Sequence, residues 1–188
     1  MNGQAAPANH RSGEAPTPPL EAAKISAMKK APDAVRAHLE RALGWEEAHV
    51  SFESALKELP SKLRGARPKG FDHSAWELLE HMRRAQHDLL DFCINPRYVH
   101  TLDWPDDYWP AKAAPPSPSA WTKSIDDFTS DRDQLKQLVR NSSVDLSAKV
   151  PTGKPEQTYL RSILLVIDHN AYHLGQLVAV RRALGSWR

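Results

Sequence analysis

Apolar residues recur at helical steps in four stretches of this 188-residue chain. Val35, Leu39, Ala42, His49, Phe52 and Leu56 follow one another at steps of three, four or seven, which predicts an amphipathic helix from Pro32 to about Leu59, bent near Gly44. Pro32 sits where a first helical turn accepts proline, and Pro60-Ser61 ends the segment. A second helix is signalled by Ser74 and Glu77, spaced as a capping box ahead of Leu78, Leu79, Met82, Ala85, Leu89 and Phe92, and runs to about Cys93. Ser117-Pro118 opens a third, through Phe128, Leu135 and Leu138 to about Arg140, with Asp126, Asp127, Asp131, Arg132, Asp133 and Lys136 read as its solvated face. The last spans about Thr158 to Leu184 and is apolar on nearly every side, the mark of a buried helix. Asn141 to Pro155 is irregular, with a short extended piece around Lys149 to Pro151. Four long helices with no convincing strand or repeat predict an all-α fold, a four-helix bundle.

Two segments fall outside that pattern. Residues 1–31 are rich in Ala, Pro, Gly and Lys and read as a mobile arm, leaving 32–188 as a single domain. Between the second and third helices, Ile94 to Pro116 carries five prolines together with Tyr98, Trp104, Tyr108 and Trp109. That many aromatics predict an ordered connection packed over the bundle as a hydrophobic lid, and long ordered loops are often functional. The acids Asp103, Asp106 and Asp107 in it read as surface charges.

Charge and cysteine content narrow the function classes. A net charge of +2 with both signs interspersed offers no basic stripe for nucleic acid. A lone cysteine, Cys93, excludes an intramolecular disulfide and reads as a buried helix-end residue in a reducing compartment, so the expected location is cytoplasmic. The first nineteen residues hold no apolar stretch of signal-peptide length, and no run is read as long enough to cross a bilayer.

The chemistry concentrates in the last helix. His169 and His173 are four residues apart, one helical turn on one face, within a run where Arg161 and Asp168 are the only other charges between Leu160 and Val180. Nine histidines placed at random would give roughly 0.4 such pairs, so spacing alone decides little. Placement decides more: buried imidazoles need hydrogen bonds or a ligand, and imidazole is the commonest metal ligand. A catalytic zinc keeps three protein ligands and one open position. The third ligand can come from the first two helices, where His81 and His49 both lie on or beside an apolar stripe. His38 faces away, and His87 falls among Arg83, Arg84 and Asp88. On geometry His81 and His49 rank together.

The string Ser74-Ala75-Trp76-Glu77-Leu78-Leu79-Glu80-His81, with Asp168-His169-Asn170-Ala171-Tyr172-His173-Leu174-Gly175-Gln176-Leu177 downstream, resembles the DinB/YfiT-like family of bacterial metalloenzymes over about Val35 to Trp187. The resemblance implies a DinB-type four-helix bundle with an unusual helix order, often dimeric, and one divalent metal held by His81, His169 and His173. It also implies a metal-dependent enzyme acting on a small molecule: a transferase of low-molecular-weight thiols, or a hydrolase. The alternative is a metal-binding or stress-response interaction module with a structural metal, closed by a fourth ligand such as His49. Asn170 stands where a zincin needs its glutamate, and the last helix has no glutamate for a carboxylate-bridged di-iron centre, so the site reads as mononuclear. Zinc suits the ligand set best, with nickel next. His49, Asp168 and Tyr172 are candidate pocket-lining residues; no residue is assigned a catalytic role. Gly175 reads as a point of close backbone approach, within the bundle or across a dimer.

Overall fold

The computed structural model describes residues 34–44 and 48–187. Within them the chain is all-α, with five α-helices and a single isolated bridge, Lys149 to Thr158, at the expected extended piece. The helices are α1 (34–42), α2 (Phe52–Leu56), α3 (Ala75–Ile94), α4 (Pro118–Arg140) and α5 (Tyr159–Ala183). The arm expected over 1–31 lies outside the described residues.

The long first helix expected from the sequence is two pieces. α1 ends in a turn at Leu43-Gly44, and α2 starts afresh from Ser51, whose side chain accepts a hydrogen bond from Ser54 N. Glycine weakens a helix by about 1 kcal/mol and a serine N-cap strengthens a new start by about as much, so local chemistry favours the break. The other three helices begin where their signals stand. Ser74 and Glu77 form the reciprocal capping box of α3, Ser117 caps α4 with Pro118 behind it, and Thr158 caps α5.

α3 packs against both α4 and α5. Two large apolar clusters result, with a smaller third of Phe92, Cys93 and Val150 at the end of α3. Phe52, Trp76, Met82, Phe128, Leu174 and Leu177 belong to one; Leu39, Leu90, Leu135, Val139, Ile163 and Val166 belong to the other. A polar layer lies between them in the sequence of α3 and α5. Asn170 Nδ2 donates to Gln86 Oε1 at 2.9 Å, and Gln86 Nε2 donates to the Phe128 carbonyl at 2.7 Å. This pairs the buried Gln86 with the half-buried Asn170, whose Oδ1 is left without a partner, and ties α5 to α3 one residue from His169.

Two surface readings need correction. Asp131 and Arg132, taken from the sequence as part of a solvated face, are buried: Asp131 meets His87 Nδ1 at 2.9 Å and Arg132 pairs with Glu53 at 2.5 Å. They flank the Phe128–Leu135 stripe, and the neighbouring helices α2 and α3 cover that flank. α5 is also long and apolar enough, by length and composition, to cross a membrane, contrary to the reading that no such run exists. Here one face of it lies in the core: Ile163, Val166, Leu177 and Val180 are fully packed, and Arg181 Nη1 donates to the Ala55 carbonyl. The helix expected to be buried on nearly every side is not, since only 33 % of its most apolar window is buried and Leu164, Leu165 and Tyr172 are exposed.

Candidate metal centre

α3 and α5 each bring histidine to the same point. His81 stands in the second turn of α3 and is 2 % exposed; His169 and His173 occupy successive turns of α5. One ring nitrogen from each lies within 4.8 Å of the others. His81 Nε2 and His169 Nε2 are 3.0 Å apart. Two nitrogens at tetrahedral angles about one zinc, each at its usual bond length, stand roughly 3.3 Å apart, so the pair needs to open by only a few tenths of an ångström.

The outward nitrogens are anchored. His81 Nδ1 donates to the Tyr108 carbonyl at 3.3 Å, and His173 Nδ1 donates to Gln176 Oε1 at 2.7 Å. A carbonyl can only accept, so each anchor fixes the proton on Nδ1 and leaves Nε2 as a lone pair facing the cluster. Burial strips water from the rings and disfavours their charged forms. His81 is pushed down to about 3 and His169 to about 4, chiefly by desolvation and secondly by the neighbouring His173; His173 is lowered as well, again by desolvation. Three imidazoles held neutral in this way fit a divalent cation and repel one another when protonated.

The long connection completes the site. Trp109 stacks on His81 at 3.8 Å between ring centres, and His73 stacks on its other face at 3.8 Å. Trp104, exposed on its outer side, lies 5.9 Å from His81 and 6.4 Å from His169. The connection is pinned from below. Arg84 Nη1 donates to the Asp107 and Trp109 carbonyls, each at 3.1 Å, and Tyr108 Oη donates to Asp88 at 2.7 Å. Further along, Ser74 Oγ donates to the Ala113 carbonyl, and Gly65 is needed because a Cβ there would stand 2.4 Å from that of Ala114. The segment is a lid, as expected, but one that supplies a carbonyl, from Tyr108, and two aromatic rings, Trp104 and Trp109, to the histidines.

A cavity of about 710 Å³ opens onto His169, walled by Trp104 and Tyr108. His49 and Asp168 line a different cavity, about 440 Å³, that none of the three histidines lines. His49 is exposed, its Nδ1 bonded to the Val50 carbonyl at 2.9 Å. Tyr172 is 64 % exposed and meets His173 edge-on at 4.9 Å. Among the described residues no fourth His, Cys, Asp or Glu joins the trio. Sequence reasoning did not single out His73, Trp109, Asp88 or Gln176 as parts of the site. For the connection the available signal was its density of aromatics; Gln176 stood in the string that carries the family resemblance, but without a role.

A family model described as the DinB superfamily matches residues 44–177, well over half of the chain and inclusive of all three histidines. No curated protein and no solved structure matches. The chain belongs to the DinB superfamily.

Proposed function

We propose that the protein binds one divalent metal through His81, His169 and His173 and is a metal-dependent enzyme acting on a small molecule, as a low-molecular-weight thiol transferase or a hydrolase. The observation that carries this reading is the convergence of three neutral imidazoles, two of them anchored through Nδ1, beside an open cavity. A bound divalent ion would lower the pKa of a coordinated thiol or water and so supply a nucleophile at neutral pH. The chain's own residues prepare for this. Tyr108 and Gln176 aim two imidazoles, Trp109 holds the His81 ring in plane, and Trp104 shields one side from solvent. The alternative, a purely structural metal, calls for a fourth protein ligand, and His49 is held elsewhere by Val50.

Zinc is the leading candidate, followed by nickel. The test is elemental analysis of untagged protein purified without chelator, beside a His169→Ala/His173→Ala double variant. About one equivalent of zinc or nickel in the wild type and little in the variant is the expected result. A wild type that refuses added Zn2+ and Ni2+ overturns the reading.

The family's four-helix bundle and homodimer are part of the same proposal. The packing of α3 on α4 and α5 supports the bundle. Exposed Leu164 and Tyr172, eight residues apart on α5, support the dimer, as does Gly175, where an added Cβ would meet nothing within 4 Å of its own chain. Sedimentation equilibrium of wild type and Tyr172→Glu tests the dimer: a monomeric wild type removes it.

A further inference from the structure

The cavity beside His169 has a two-sided character. Its inner wall is apolar and aromatic, with Phe92, Leu165, Trp104 and Tyr108. Its rim carries Lys154 and Arg161. Among the described residues neither the Lys154 ammonium nor the Arg161 guanidinium has an acidic partner, since only their backbone nitrogens make hydrogen bonds. The one acid in the lining, Asp88, is already engaged. It accepts from Tyr98 Oη at 2.8 Å and from Tyr108 Oη at 2.7 Å, with His100 Nδ1 3.8 Å away. Two cations thus stand against one acid in the lining, and that acid's oxygens are occupied by tyrosine hydroxyls.

The loop bearing Lys154 is ordered around this mouth. Val150 N donates to the Gln157 carbonyl, Lys154 N to Gln157 Oε1, and Lys149 Nζ ties the Pro151 and Gly153 carbonyls. Gly153 allows the loop to lie on Phe92, where a Cβ would come within 2.9 Å of the ring. Lys154 is therefore presented at the rim by a fixed turn, and Arg161 by the first turn of α5.

We propose that this cavity binds an amphipathic organic anion, its apolar or aromatic body against Trp104, Tyr108, Phe92 and Leu165 and its carboxylate or phosphate between Lys154 and Arg161. The inference rests on the reading of the histidine trio as a catalytic centre in making this anion the substrate, since His169 forms part of the same wall. Flat apolar surface supplies affinity and the two cations supply selectivity for charge.

The test uses the full-length protein, zinc-loaded and metal-free. Naphthylacetate and naphthyl phosphate are titrated against the uncharged naphthylacetamide and followed by calorimetry, with Zn2+ uptake measured separately. At least one anion should bind about tenfold more tightly than the amide, and the preferred anion identifies the head group. Lys154→Glu/Arg161→Glu should abolish that preference while amide affinity and zinc stoichiometry stay unchanged. Equal binding of anions and amide overturns the proposal, as does a preference that survives in the double variant. A persistent preference in a protein that takes up no zinc supports the anion site and removes the metal reading alone.

Discussion

His81 and His87 stand six residues apart on α3, and the fold treats them oppositely. His81 is enclosed by Trp109, His169 and His173, and burial holds it neutral down to about 3. The His87 side chain is 62 % exposed and faces Asp131, whose carboxylate raises its affinity for a proton. Imidazole chemistry is the same in both. What differs is whether the neighbours are low-dielectric rings or an anion, and that determines which one is suited to a metal and which to an ion pair.

Removing either ring should expose the difference most sharply. His81→Ala should weaken zinc binding by about a hundredfold or more, read by competition with a chelating dye, whereas His87→Ala leaves it unchanged. Equal effects would erase the distinction. Trp109→Ala should destabilise the protein by about 2–3 kcal/mol in urea melts and weaken zinc binding as well, because the ring both fills space and holds His81. Gln176→Leu should leave stability nearly intact and cost about tenfold in zinc affinity, by freeing His173 Nδ1 from its acceptor.

Protonation gives the comparison opposite signs in metal-free protein. His81 and His169 are protonated near 6.5 when unfolded but only at about 3 and about 4 when folded. The unfolded state thus binds more protons in between, so their contribution is complete above 6.5 and is lost as the pH falls towards those values. His87 runs the other way. Its folded affinity is raised, so its contribution is present below 6.5 and disappears as the pH rises through the folded value. Urea melts at about pH 5.5 and about pH 8.5 should show His87→Asn more destabilising at the lower pH. In the same melts His169→Asn should remove part of the acid sensitivity. Identical pH profiles for the two variants would defeat the comparison.

The smallest effect concerns Cys93, which burial pushes up to about 11. Native protein should react negligibly with a thiol reagent at about pH 8 and fully in urea. Fast native labelling would show that this end of α3 opens readily.

Helix starts were legible because their signals are local. Ser74, Ser117 and Thr158 each satisfy a backbone donor a few residues ahead, and no distant part of the chain is needed to do so. His169 and His173 were legible as a pair because helical geometry alone brings residues four apart to one face. The break between α1 and α2 was only half visible: Gly44 suggested a bend, but the independent cap at Ser51 passed unremarked inside an unbroken apolar period. The burial of Asp131 and Arg132 was not visible at all, since a charge at the edge of a stripe reads as solvated until its partners, His87 and Glu53, are placed beside it.

The all-α class and the two histidines of α5 therefore follow from sequence by itself, through hydrogen bonds and periodicities that act within a turn or two. The choice of His81 over His49 rested on family resemblance, and in space it is tertiary packing that carries His81 to the pair while leaving His49 with Val50. Packing likewise brought the Tyr108 carbonyl and the Trp109 ring onto His81 from a connection that shares no helix with it. The His173 tautomer is held locally, by Gln176 three residues on. Neutral imidazoles, the His81 tautomer and a cavity opening on His169 depend instead on burial and on contacts across more than twenty residues of chain, which no local pattern encodes.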